Sequence, residues 1–392
     1  MRIAHFTNTY KPNINGVSRS VSTFREALTD LGHQVFIFAP GSGKYVDDEP
    51  YIFRFPAFEI PQFNYSISIP VSTYVNWTLP RLKPDVIHSN HPVLLGDIAA
   101  NRAFKFDLPL VFTFHTRYTE YSHYVPLQQA FVKGVIVGGL ARYLRKCQHI
   151  ITPSASIQNI LAEHGVDDRV TTIPTGIDLE PYRDADGRKI RDHFGWGNDR
   201  VLVSMGRLAR EKNWETLLDA CARVMETHAD VRLLLIGDGP QRDELEKYAS
   251  DVGIANRVTF VGRVPFESVP DHLKAGDLFC YASVTETQGL ATMEALAAGL
   301  PVVAVDATGT RDVVEEGVDG LLTHNDSQAL ALAISRLLDD NGLRETFIAN
   351  AREKVKQFDT KRQAKRLVEV YRQVIEDKKA GYTIRVESLK YT

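Results

Sequence analysis

Residues 277–305 read "DLFCYASVTETQGLATMEALAAGLPVVAV". The ends of this stretch, "DLFCYAS" and "PVVAV", are short apolar runs of the kind that form strands buried on both faces. Between them lie the loop "TETQG" and a run that reads as a helix. Strand, helix and strand in that order predict a parallel sheet with crossover helices. The same stretch places Glu286 before a Gly-containing turn and Glu294 about one turn into the helix. A helix start carries unpaired backbone N–H groups and the positive end of the dipole, so it suits a phosphate or pyrophosphate. Gly289 would let the backbone come close to such a group. A ribose diol would then meet Glu294, and hydroxyls attached to the far phosphate would meet Glu286. A nucleotide sugar has that layout. Acids near a helix N-terminus are also stabilising in themselves, so the spacing alone leaves both readings open.

Outward from this stretch the same alternation recurs. "RIAHF" reads as a strand, "TNTYKPNING" as a loop, and Val17, Val21, Phe24, Leu28 and Leu31 fall at helical spacing before Gly32. "HQVFIFAP", "DVIHSN", "PLVFTFH" and "HIITPS" are further strands. The segment "PTGIDLEPYRDADGRK" from residue 174 is rich in Pro, Gly and charge and reads as a linker. Alternation then restarts with "RVLVSMG", "VRLLLIGDG" and "VTFVG" as strands. Leu367, Val368, Tyr371, Val374 and Ile375 fit a late amphipathic helix. The chain of 392 residues is too long for one ordinary core. It is expected to form two α/β domains, 1–180 and 181–360, with a helix near 361–379 packing back on the first. Ligands bind beyond the carboxyl ends of strands in such sheets. Two parallel sheets facing a central cleft are expected.

Composition narrows the class. At 44% hydrophobic and 24% charged, the chain is that of a globular protein. A net charge of −3 argues against a dedicated nucleic-acid binder. Cys147, Cys221 and Cys280 show no metal-like or redox spacing, which suggests a reducing compartment. The opening "MRIAHFTNTYKPN" has no apolar core of a secretion signal. No apolar run approaches the roughly 18 residues that suggest a membrane span. A cytoplasmic protein is expected, at most peripheral on the inner face of the membrane.

The loop "GRLAREKN" follows the strand "VLVSM", so Arg207 and Lys212 lie beyond a strand's carboxyl end. Two cations there would neutralise a departing pyrophosphate. An ion pair among Arg210, Glu211 and Lys212 is the plainer alternative. Asp184-Ala185-Asp186 has the spacing of a metal-holding pair, but no apolar strand precedes it and it reads as a solvated turn. His115 follows the apolar run "PLVFTF", where a lone histidine is often a hydrogen-bonded core residue.

Glu286-x7-Glu294, "MGRLAREKNWETLLDA", "LLLIGDGPQRDEL" and "VTFVGRVP" together resemble the C-terminal domain of retaining glycosyltransferases of the GT-B fold, family 4. "NTYKPNINGVSRSV" and "TFHTRYTEY" resemble the N-terminal domain of the same family, and the resemblance covers nearly the whole chain. It implies that Glu286 contacts the donor sugar and Glu294 the ribose. It implies that the amides of Gly289 and Leu290 meet the pyrophosphate, with Arg207 and Lys212 stabilising the leaving nucleoside diphosphate. Gly16 would approach those phosphates from the other domain, His115 would lie near the sugar, and the backbone near Arg263 and Val264 would border the base. Transfer with retention, no catalytic metal and no cofactor beyond the nucleotide-sugar substrate are implied.

The stretch "FHTRYTEYSHYVPLQQAFVKGVIVGGLARYLRKCQHI" is aromatic, then apolar, then basic. With "TETQGL", it is similar to bacterial enzymes that place glucose on diacylglycerol, and to related sulfolipid and mannolipid synthases. Tyr118, Lys133, Arg142, Arg145 and Lys146 are the candidate acceptor and membrane contacts, by an amphipathic helix on an anionic surface. A crossover helix with a basic exposed edge is the alternative. UDP-glucose is the first expectation for the donor and GDP-mannose its rival. A nicotinamide dehydrogenase is disfavoured, because the first loop lacks G-x-G-x-x-G. A non-catalytic two-lobed sugar or nucleotide binder, which would need no cation pair, is the reading from another class.

Overall fold

The computed structural model describes residues 1–13, 15–43, 45–60, 65–69, 73–115 and 138–384. Within it the chain forms two compact units. One comprises Met1–Gly176 with Thr360–Thr392, and the other Ile177–Asp359.

The described part of the first unit holds strands β1 (Arg2–Phe6), β2 (Gln34–Pro40), β3 (Ile52–Phe55), β4 (Ala57–Ile60), β5 (Tyr65–Ser68), β6 (Val86–Ser89), β7 (Leu110–Thr113), β8 (His149–Thr152) and β9 (Val170–Thr172). Seven of them make a parallel sheet in the order β3-β2-β1-β6-β7-β8-β9, and β4 pairs with β5 as an antiparallel hairpin. Alternate residues serve opposite faces. Ala4, Phe6, Phe38, Ile87 and Phe112 pack with the helix Leu95–Lys105 on one side. Ile3, Ile37, Val86 and Val111 pack on the other with the helices Gly16–Asp30 and Thr360–Lys379. Buried on both faces, these strands read as apolar runs.

The long last helix is tied into this unit by chemistry as well as packing. The Tyr371 hydroxyl is buried and lies 2.6 Å from His88 Nδ1 and 3.2 Å from His5 Nε2. His88 Nε2 meets Thr113 Oγ1 at 2.6 Å. Burial pushes His5 down to about 3 and holds His88 well below its ordinary value, so both rings are neutral. Tyr371→Phe strands ring nitrogens in a dry core, and is expected to cost about 1–3 kcal/mol. Urea denaturation with an unchanged m-value checks this.

The second unit holds β10 (Arg200–Met205), β11 (Val231–Ile236), β12 (Val258–Gly262), β13 (Leu278–Tyr281), β14 (Val302–Val305) and β15 (Gly320–Thr323), all parallel, in the order β12-β11-β10-β13-β14-β15. Helices Trp214–Thr227 and Ser327–Asp339 cover one face, and Leu290–Ala297 lies against the other. The expected linker differs from expectation. It contains the helices Glu180–Arg183 and Arg188–Phe194, and Tyr182 and Trp196 enter the core of the second unit. Apolar anchors at Ile177, Tyr182 and Trp196 fold this charged segment onto the domain. Asp186 does sit in a turn, its carboxylate accepting from the Arg188 amide at 3.0 Å. Among the described residues no helix is long and apolar enough to cross a membrane.

Candidate active site

In each sheet the strand order reverses direction at one place, between β10 and β13 in the second unit and between β1 and β6 in the first. There the loops after neighbouring strands diverge and leave a crevice at the carboxyl edge, the ordinary binding place in such folds.

In the second unit the loop after β10 is built around a plug. Leu208 and Ala209 are buried, the Leu208 amide donates to Asp238 O at 3.1 Å, and Trp214 Nε1 donates to Arg207 O at 2.9 Å. The glycines of "GDG" serve this packing. A Cβ on Gly237 would fall 1.9 Å from Gly206 O, and one on Gly239 would fall 2.3 Å from Leu208 O. The plug leaves Arg207 exposed, with no ion pair among the described residues. Lys212 closes the short 3₁₀ turn Arg210–Lys212.

Lys212 pairs with Glu286, which lies on the loop after β13, and so not with Glu211. The Tyr281 hydroxyl donates to Glu286 Oε1 at 2.6 Å, and Ser283 Oγ donates to the same oxygen at 2.8 Å. Burial favours the neutral carboxyl of Glu286, but the Lys212 ammonium and the two hydroxyls outweigh it and hold its pKa below the usual range. Burial likewise opposes the Lys212 charge, yet its neighbours Tyr281 and Glu286 keep it protonated.

The loop then reaches Gly289, whose φ of 74° starts the helix Leu290–Ala297. Among the described residues no side chain caps this helix, and no acid lies in its first turn, the kind of helix start that suits an anion. The fit behind is tight. A Cβ on Gly289 would fall 2.9 Å from Gly309 O. Glu294 is 1% exposed and its Oε1 accepts from the Tyr182 hydroxyl at 3.2 Å. Arg263 is exposed and Val264 half-buried just beyond β12. The structure thus brings Lys212, Glu286 and the Gly289–Leu290 turn onto two neighbouring loops.

In the first unit Asn15 caps the helix Gly16–Asp30, accepting from Val17 N at 3.0 Å and Ser18 N at 2.9 Å. Gly16 is exposed at its first turn. The preceding loop is pinned by Glu49, which takes Tyr10 at 2.8 Å, Lys11 at 2.6 Å and Arg25 at 3.3 Å. His115, just beyond β7, lies with Nε2 2.9 Å from Asn90 Oδ1. Asn90 Nδ2 donates to Phe6 O at 3.2 Å, so its oxygen faces the ring and His115 carries its proton on Nε2. Burial, with His91 and His5 adding to it, pushes His115 down to about 3. The ring is therefore a neutral group at physiological pH.

Of the proposed membrane contacts, Tyr118 and Lys133 lie outside the described residues. Arg142, Arg145 and Lys146 are exposed, while Ala141, Tyr143 and Leu144 beside them are spent on the protein's own core. For this end of the segment the apolar face is not left for a bilayer, and only the basic edge is.

The family described as "Glycosyltransferase Family 4" matches residues 14–181, and "Glycosyl transferases group 1" matches residues 186–354. The chain belongs to the family 4 glycosyltransferases. Its two units have the GT-B fold. The structure is similar to that of HepE from Anabaena, solved with UDP and glucose (TM-score 0.76, 24% identity, 95% of this chain and 100% of that one). It is also similar to a sucrose-phosphate synthase from Thermosynechococcus elongatus (TM-score 0.79, 24% identity, 96% and 99%). In sequence it is 29% identical to an alpha-monoglucosyldiacylglycerol synthase of Acholeplasma laidlawii, over 96% of this chain and 98% of the relative. It is 29% identical to a GDP-mannose-dependent alpha-mannosyltransferase of Corynebacterium glutamicum, over 87% and 81%. This glycosyltransferase therefore has glycolipid synthases among its relatives.

Sequence reasoning did not single out Tyr281, Ser283, Tyr182, Gly309 or Asn90. Tyr281 and Ser283 were legible only as strand-end residues three to five positions before Glu286. Tyr182 stood in a segment too charged to suggest a core.

Proposed function

We propose that this glycosyltransferase moves glucose from UDP-glucose, with retention of configuration, to a lipid hydroxyl such as that of diacylglycerol at the cytosolic membrane face. The observation that carries this reading is the meeting of a partly enclosed Lys212–Glu286 pair with an uncapped helix start on adjacent loops. The diphosphate takes the amides of Gly289 and Leu290, with Arg207 and Lys212 supplying positive charge. Glu294, beside Tyr182, accepts from the ribose diol, and the backbone at Arg263 and Val264 borders the base. Glu286 accepts from sugar hydroxyls. Gly16 and His115 on the first unit remain proposed ligand contacts, His115 as a neutral hydrogen-bonding group.

In this scheme the C–O bond to the leaving diphosphate breaks as the acceptor hydroxyl attacks from the same face. The departing phosphate oxygen takes the hydroxyl proton. Glu286, held as an anion by three donors, is too weak a base for that task. Two cations and the helix amides take up the developing charge, so the scheme needs no metal. Arg142, Arg145 and Lys146 are proposed to face anionic headgroups, each worth about 1 kcal/mol at the surface. The names of the Acholeplasma and Corynebacterium relatives support lipid glucosylation first and a GDP-mannose donor second.

The test is nucleoside diphosphate release by purified protein. UDP-glucose, UDP-galactose and GDP-mannose are each supplied with and without vesicles of diacylglycerol and anionic lipid, with Glu286→Ala alongside. Lipid-dependent release from UDP-glucose that the variant loses supports the proposal. Release from GDP-mannose overturns the donor, and release indifferent to lipid overturns the acceptor.

A further inference from the structure

Three donors converge on one oxygen of Glu286. Oε1 receives the hydroxyls of Tyr281 and Ser283 and the ammonium of Lys212. No described residue donates to Oε2, and the Glu286 side chain keeps 14% of its surface exposed, so the lone pairs of Oε2 are not spent within the unit. Tyr281 is itself 2% exposed, and its oxygen lies 3.5 Å from Lys212 Nζ, long for a hydrogen bond but closable by a small movement of the ammonium. Its phenol therefore touches both members of the pair from the end of β13. Burial first, and the Glu286 charge second, raise the Tyr281 pKa, so the phenol keeps the proton it donates.

A diphosphate arriving at the helix start competes with Glu286 for Lys212. Phosphate carries more charge than a carboxylate, so the lysine is drawn toward it. Glu286 then loses its ammonium partner while still partly enclosed, with its side chain 14% exposed. Something must keep the carboxylate in place and ionised through that exchange. We infer that Tyr281 is a positioning residue for Glu286: its hydroxyl holds Oε1 when Lys212 turns to the donor diphosphate, leaving Oε2 as a fixed acceptor for the sugar. This deepens the donor reading above and rests on it. Ser283 gives the second fixed bond, but among the described residues only Tyr281 also has its oxygen within 3.5 Å of Lys212 Nζ, so it touches both partners before the exchange and stays on Oε1 after it.

Tyr281→Phe removes the hydroxyl and keeps the ring, which packs 5.7 Å from Phe279. The expected result is a fall in kcat of about 10- to 100-fold with donor KM changed less than about threefold, since the loss falls on the reacting geometry. The sign of the pH effect follows from Glu286. Its folded pKa lies below the usual glutamate value, and losing a donor raises it. The acid limb of kcat/KM therefore moves to higher pH by about one unit, as one lost charge-assisted bond allows. Tyr248→Phe, which loses a hydroxyl bonded to Asp219 elsewhere in the unit, is the control and keeps the wild-type rate and limb.

A second measurement stands without catalysis. Thermal midpoints at neutral pH for Tyr281→Phe, Glu286→Gln and the double variant form a cycle, expected to be strongly non-additive. A wild-type kcat and unmoved acid limb in Tyr281→Phe, or an additive cycle, overturns the inference. If wild-type protein releases nothing from the three donors, the donor reading fails, and the thermal cycle still decides whether Tyr281 holds Glu286.

Discussion

Lys212→Ala lowers kcat for nucleoside diphosphate release by about a thousandfold or more, because it removes a cation placed against developing charge. It also destabilises the second unit. The lysine and Glu286 side chains are 19% and 14% exposed, so the carboxylate is left largely enclosed with only the hydroxyls of Tyr281 and Ser283. Breaking such a pair from one side costs about 3–5 kcal/mol. Urea denaturation at pH 7 measures the second effect and single-turnover kinetics at saturating donor the first. The two are separated by the double variant Lys212→Met with Glu286→Leu. Replacing both charges by apolar groups recovers most of the stability, since neither is left bare. It recovers none of the rate. A double variant that regained activity would show that the pair serves the fold alone.

Gly309→Ala is expected to cost activity about a hundredfold, by moving Glu286 rather than by touching a ligand, since misplacements near 1 Å have that effect. Gly309 has a φ of 80°, and an added Cβ would fall 2.8 Å from Glu286 C, Glu286 Cβ and Gln288 N. Two of those are backbone atoms and cannot swing aside, so the Glu286 loop itself must shift. Gly317→Ala is the matched control. Its φ is 72°, but a Cβ there meets nothing within 4 Å. It bears only the left-handed strain, about 1–2 kcal/mol, and keeps wild-type kcat/KM. Equal activity losses in the two variants would reduce the Gly309 effect to backbone strain.

The fold was legible because both sheets are parallel and covered on both faces. Runs such as "VFIFA" in β2 and "RLLLI" in β11 have no polar alternation to obscure them. The hairpin β4–β5 was not legible, since its strands are four residues each and Pro56 interrupts the run into them. The candidate site was legible in part. Glu286, Gly289 and Leu290 share one short loop and helix start, where local rules apply. The pairing of Lys212 with Glu286 joins residues 74 positions apart, and only the reversal of strand order between β10 and β13 makes them neighbours. Tyr281 was hidden for another reason. Its ring fills the core as any strand aromatic would, and the hydroxyl's role depends on what lies past the strand end.

The chain passes between its two units twice, at residues 176–177 and 359–360, and the Ile177 amide donates to Phe358 O at 2.9 Å where the passages run side by side. During synthesis the second unit is complete once its last residue, Asp359, has left the ribosome. The first unit is then still missing the helix Thr360–Lys379, and with it Leu367, Tyr371 and Val374 from one side of its sheet. A nascent chain therefore holds a finished downstream domain while the upstream sheet waits, its His5 and His88 without the Tyr371 hydroxyl. A stop codon placed just after Asp359 would leave the second unit whole and fall on the first, although the 183 residues of Ile177–Asp359 lie between the two parts of that first unit in sequence.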